Sequence, residues 1–191
     1  MLDSITRRPP RYERILARSE ALQFSMNSDV LTGSLLRALA RTKPDGSFLE
    51  LGTGCGLGTC WLVDGMSSGS RLISLDTDPR AQAIAKEELE PDDRLTLLLN
   101  DGGTFLERCE TRFDLIYADA WPGKFSHLAE ALALLESGGI YVIDDMLPQL
   151  NWPVDHPPKV EALLAALGAA PGIDVAKLSW STGVVIGVKR G

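Results

Sequence analysis

From residue 48 the chain alternates short, nearly continuous apolar runs with longer stretches of helical periodicity, and few architectures tolerate that pattern. The runs are Phe48–Gly52, Arg71–Asp76, Arg94–Asn100, Phe113–Asp119 and Gly139–Asp145. Runs this short that are apolar on both faces fit strands buried between two layers. Segments 58–66, 79–89, 102–109, 124–136 and 158–168 separate or follow them and carry helical spacing. Strand and helix in this order predict a parallel sheet with helices on both faces. The end of the chain breaks the rhythm. Residues 173–179 and 183–189 are strand-like, and the few residues around Ser181 and Thr182 between them are too short for a crossover, so that pair is antiparallel. The expectation is an α/β fold: a doubly wound sheet of seven strands, mostly parallel with an antiparallel C-terminal strand.

The first 41 residues read differently. Tyr12, Ile15, Leu16 and Leu22 recur at helical spacing, as do Val30, Leu31, Leu35, Leu36 and Leu39, and Asn27, Ser28 and Asp29 offer N-caps between the two groups. A length of 191 residues fits one domain, with a helical cap over 1–41 and a core over 42–191. The cap holds seven arginines against four acids, whereas the whole chain has 26 acidic and 19 basic side chains and a net charge of −7. Nucleic-acid binders need a broad basic face, so no nucleic-acid partner is expected. No apolar run approaches the ~18–20 residues of a membrane span. Charge and proline fill the N-terminus where a signal peptide would be apolar. Cys55, Cys60 and Cys109 are odd in number and lack metal-ligand spacing. A reducing cytoplasm, without a membrane partner, is the expected setting.

The sharpest local signal is Glu50-Leu51-Gly52-Thr53-Gly54-Cys55-Gly56-Leu57-Gly58, where the first strand gives way to a helix. Glycines there let the backbone approach a ligand while helix N-terminal N–H groups face it. The dinucleotide pattern G-x-G-x-x-G fails, because Leu57 or Thr59 occupies its third glycine position. That argues against a NAD- or nucleotide-binding oxidoreductase, which stands as the alternative reading. Asp76 closes the second strand, 24 residues after Gly52, where a carboxylate can accept ribose hydroxyls. Asp78-Pro79 is an N-cap followed by proline at the first helical position. Asp101 either accepts from an adenine amine or caps the next helix.

Together these features resemble class I S-adenosylmethionine-dependent methyltransferases over nearly all of Phe48–Arg190, which implies a Rossmann-like core. The resemblance implies that the glycine loop (Glu50, Gly52, Thr53, Gly54 and Gly56) holds the cofactor's amino-acid part. It further implies that Asp76 holds the ribose and that Asp101 is the acid of the third loop. A narrower resemblance to catechol-type O-methyltransferases rests on three pieces: Ser25-Met26-Asn27-Ser28-Asp29, Phe113–Trp121 and Ile143-Asp144-Asp145. It implies a turn with Met26 covering the cofactor, a role for Asp119 beside cofactor and metal, and a metal set of Asp119, Asp144 and Asp145. Two positions depart from that family: Asp145 replaces its usual asparagine, and Pro122 stands where its general-base lysine is expected, with Lys124 two residues on.

An all-carboxylate set would suit Mg²⁺, Mn²⁺ or Ca²⁺. Adjacent aspartates cannot both point inward if the strand runs through them, so a metal-free mechanism with His156 or Lys124 as base stays open. His156 lies in the loop after the fifth strand, where α/β ligands bind. Trp121 and Trp152 follow the fourth and fifth strands and are either walls for a flat acceptor or packing. His127 is expected on the surface of a helix beginning near Lys124. The sequence thus predicts O-methylation of a small-molecule acceptor. A non-catalytic cofactor-binding protein of the same fold is a further alternative, and a homodimer is left open.

Overall fold

The computed structural model describes residues 3–149 and 152–191. Two helices, α1 (Tyr12–Ala21) and α2 (Val30–Arg41), precede β1 (Ser47–Leu51), α3 (Leu57–Gly65), β2 (Arg71–Asp76), α4 (Pro79–Leu89) and β3 (Leu95–Leu99). The chain continues through α5 (Gly102–Arg108), β4 (Phe113–Ala118), α6 (Leu128–Ala133), β5 (Leu135–Ile143), α7 (His156–Ala169), β6 (Ile173–Leu178) and β7 (Val184–Lys189). The sheet order is β3-β2-β1-β4-β5-β7-β6, and only β7 runs against the rest. From β1 the chain winds outward to β3, then returns to β4 on β1's other side. The carboxyl ends of β1 and β4 therefore flank the switch point, where open α/β sheets place their ligands.

Strand residues alternate between two buried layers. Phe48, Leu72, Leu115 and Tyr117 face α1, α2, α3 and α4, while Leu49, Leu75, Ile116 and Tyr141 face α5, α6 and α7. The N-terminal helices thus belong to the first layer. Their arginines are spent there: Arg14 and Arg18 pair with Glu88, which is buried, and Arg7 and Arg37 pair with Asp64 of α3. Asp29 caps α2 through the Leu31 and Thr32 amides, and Asp78 caps α4 ahead of Pro79. No described helix is long and apolar enough to cross a membrane.

Two elements depart from expectation. α6 starts at Leu128, not near Lys124, because Trp121 to Ser126 form a tight turn: the Trp121 carbonyl accepts from the amides of Lys124, Phe125 and Ser126. β5 ends at Ile143, and Asp145 adopts a left-handed φ of 58°. The strand therefore does not run through Asp144 and Asp145.

Candidate active site

The loop after β1 is built for close approach. Gly52 has φ +105°, and a Cβ there would lie 2.8 Å from the carbonyl oxygen of Asp119, so only glycine lets the β1 and β4 loops abut. The Gly54 amide donates to Asp76 Oδ2 at 2.6 Å and the Asp78 amide to Oδ1 at 2.8 Å, so Asp76 fixes both the loop and the start of α4. Each of its oxygens keeps a lone pair for a further donor.

Beneath the loop, Glu50 is fully buried. Its Oε2 accepts from the hydroxyls of Ser74 and Thr59, while Oε1 has no partner among the described residues. Burial pushes its carboxyl up to about 8 despite those two donors. A Cβ on Gly58 would stand 2.8 Å from Oε1, 3.0 Å from Ser28 Oγ and 3.2 Å from the Tyr117 ring. Glu50, Ser28 and Tyr117 therefore pack against Gly58 at the start of α3, and only glycine fits among them.

Two clefts open on this edge. One, of about 360 Å³, runs over the glycine loop, Asp76 and Asp101. The other, of about 400 Å³, lies over Lys124, Phe125, Asp144, Asp145, Trp152 and His156. They share a wall made of Met26, Asn27, Ser28, Asp119, Ala120 and Trp121.

The second cleft concentrates charge. Asp119 Oδ2 accepts from Ser28 Oγ at 3.1 Å. Asp144 is buried; its Oδ1 accepts from Thr182 Oγ1 at 2.6 Å and the Asp145 amide at 2.8 Å, and its Oδ2 from the Tyr117 hydroxyl at 3.2 Å. Desolvation raises both carboxyls above the ordinary aspartate range, and Lys124 pulls both back down. Opposite them, His156 is the first residue of α7, with its ring 4.3 Å from Trp152 and 5.1 Å from Phe125. Its Nε2 is buried without a partner among the described residues. Burial, then Lys124 and Lys159, hold the imidazole below its ordinary pKa and so neutral.

A family model described as a methyltransferase domain matches residues 49–146, just over half of the chain and all of the switch-point edge from β1 through β5. The chain belongs to this methyltransferase family. Among its relatives, a protein of Mycobacterium sp. (strain KMS) provisionally named an O-methyltransferase is 29% identical over 163 residues, 74% of each chain. The O-methyltransferase from Bacillus cereus, solved in complex with S-adenosylhomocysteine, shares the fold with a TM-score of 0.83 at 21% identity, over 98% of this chain and 94% of that one. TomG from Streptomyces achromogenes, an O-methyltransferase of tomaymycin synthesis solved with S-adenosylmethionine, gives 0.82 at 16%, over 97% and 92%.

Within this methyltransferase the expected residues gather unevenly. Gly52, Thr53, Gly54, Asp76, Asp101, Asp119 and Met26 all line the first cleft. Gly56 does not: a Cβ there would meet Ala85 Cβ at 2.9 Å, so this glycine serves the packing of α3 on α4. Nor does Glu50, which lies fully buried beneath the loop. Thr53 turns its hydroxyl away from the cleft to Ser74 Oγ at 2.6 Å, which leaves only its backbone to a ligand. Asp101 caps α5 through the Thr104 amide at 2.8 Å and still reaches the rim. His127 sits at the N-cap of α6 with φ 54° and faces Glu107 at 3.3 Å. The trio Asp119, Asp144 and Asp145 borders one cleft, yet among the described residues no three His, Cys, Asp or Glu side chains form a group able to hold a metal ion. Asp144 has turned its oxygens to hydroxyls, and Asp145 leaves the strand direction. Ser28, Tyr117 and Thr182 escaped the sequence reading as site residues. Ser28 and Tyr117 lie in segments already singled out, whereas nothing local marks Thr182.

Proposed function

We propose that the chain is an S-adenosylmethionine-dependent O-methyltransferase of a small, flat, hydroxylated acceptor, formed by residues 1–191 as one domain. The shared wall carries this reading. Two clefts that meet at Ser28 and Asp119 suit a transfer between two bound molecules, one on each side. When bound, the cofactor would supply an electrophilic sulfonium methyl to an acceptor oxygen on the other side of the shared wall.

The residues fit that donor. Glu50 Oε1 has no partner among the described residues, and its carboxyl, protonated up to about 8 in the free chain, would give up that proton to face a cation such as an α-ammonium, while Asp76 offers a free lone pair on each oxygen to ribose hydroxyls. The turn before α2 acts as a cover, because Phe24, Met26 and Ser28 line the donor cleft. Trp152, Phe125 and the His156 ring form an aromatic wall for the acceptor. His156 Nε2 takes the acceptor's hydroxyl proton: it is buried, unpartnered, and held neutral at pH 7. Arginines that could have met a polyanion are paired with Glu88 and Asp64, which supports a small-molecule partner. The unpaired Cys55, Cys60 and Cys109 suit a cytoplasmic setting.

The test is thermal stabilisation. S-adenosylhomocysteine at 100 times its dissociation constant should stabilise the chain by about 2.7 kcal/mol, and NAD at the same concentration should do little. Asp76→Ala should weaken binding by roughly 10- to 100-fold through the loss of charge-assisted hydrogen bonds. Stabilisation by NAD and none by S-adenosylhomocysteine would overturn the reading.

A further inference from the structure

Lys124 has no explanation in the scheme above. It is 6% exposed and borders the acceptor cleft with Asp119, Asp144, Asp145 and His156. Buried lysines are rare unless paired. Yet among the described residues no carboxylate oxygen lies within the 4.0 Å of an ion pair from its Nζ, and the side chain donates no hydrogen bond. Its Nζ stands 5.6 Å from the centre of the Phe125 ring. The tight turn at Gly123, where φ is +85°, brings the lysine back toward the carboxylates although it follows Asp119 by five residues.

The carboxylates opposite are arranged for a neighbour other than a metal. A Mg²⁺-like ion asks for about six oxygen ligands in strict geometry. Asp144 already accepts from Thr182, Tyr117 and the Asp145 amide, Asp119 accepts from Ser28, and no three acidic or histidine side chains converge among the described residues. With the Lys124 ammonium beside it and the Thr182 and Tyr117 hydroxyls donating to Asp144, that set does not hold a divalent ion; only loss of the ammonium would let those rotatable hydroxyls turn and free Asp144 for one. The set does fit an ammonium, which is a compact point charge with three donors and demands no fixed coordination shell.

We propose that the Lys124 ammonium is the resident cation of the acceptor cleft, standing where a divalent ion would otherwise balance Asp119 and Asp144, and that the acceptor oxygen binds to it directly. The inference rests on the methyltransferase reading only for the nature of the bound oxygen. The charge arrangement is a property of the chain alone.

Titration of the full chain with Mn²⁺, followed by the loss of the free-ion paramagnetic resonance signal, tests it without turnover. The wild-type protein should bind no stoichiometric Mn²⁺. Lys124→Met, and Lys124→Gln as a second neutral replacement, should each gain one equivalent, and Asp144→Asn in either background should remove it. One equivalent bound by the wild type would overturn the proposal. So would no gain in both Lys124 variants, or a gained site that survives Asp144→Asn. Lys124 does not line the donor cleft, so the thermal shift with S-adenosylhomocysteine should be the same in wild type and variants and reports folding. If that shift is missing in every protein, the methyltransferase reading fails while the Mn²⁺ result still decides the role of Lys124.

Discussion

Glu50→Gln should make the chain's stability less sensitive to alkaline pH, by an amount that follows from the burial of one carboxyl. In the unfolded chain Glu50 ionises near its ordinary 4.5, whereas in the folded chain it holds its proton to about 8. Between those values the unfolded state binds fewer protons, so stability is complete below about pH 4.5 and falls as pH rises toward 8. The window spans 3.5 pH units, and at 1.36 kcal/mol for each the folded state loses about 5 kcal/mol. Glutamine keeps the shape, and its carbonyl can replace Oε2 as acceptor from Ser74 and Thr59. Wild type and variant should therefore be similar at pH 5. By pH 9 the variant should be the more stable by about 5 kcal/mol, or roughly 10–20 °C in Tm for a domain of this size. Urea unfolding at unit pH steps measures the difference and cancels the titration of other groups that behave alike in both proteins. Parallel pH profiles would refute the argument, since they would mean that Glu50 is already ionised when buried. A cation at Oε1 reverses the preference. Binding of S-adenosylhomocysteine at pH 7 should then release close to one proton from the wild type and none from Glu50→Gln, read by calorimetry in buffers of different ionisation enthalpy.

Two further outcomes follow. Arg14→Ala with Arg18→Ala leaves Glu88, whose side chain is 4% exposed, without its cations; it should cost about 1–3 kcal/mol in urea unfolding, the partly exposed arginines placing it below a fully buried pair, and a loss within the ~0.5 kcal/mol of ordinary surface changes would refute the anchoring of α1 to α4. His156→Ala should lower kcat on a hydroxylated aromatic such as 3,4-dihydroxybenzoate by about 10²- to 10⁴-fold, and because burial holds the imidazole below 6.5 the wild-type acid limb should lie below that pH; an unchanged kcat in the variant would remove His156 as the base.

The order of elements was legible because its signals are local. Alternating apolar runs specify buried strands, and a few capping residues, Asp29, Asp78 and Asp101, set where helices begin. The reversal of β7 could be read from the shortness of the turn before it. The glycine loop was legible for the same reason, since a positive φ and a close approach leave their mark at the residue that needs them.

The acceptor cleft was settled at longer range. Asp144 meets Tyr117 from β4 and Thr182 from the turn before β7, partners 27 and 38 residues away that become neighbours only through the sheet order. Gly56 resembles its fellow glycines in sequence, yet the packing of α3 on α4 gives it a different task. Whether Asp119, Asp144 and Asp145 enclose an ion depends on lone pairs and on one left-handed residue, which composition does not record. Lys124 is the sharpest case. It stands two residues beyond the position of the family's general-base lysine, and a turn at Gly123 brings it into the same cleft as Asp119, because reach in a folded chain is measured through space and not along the sequence.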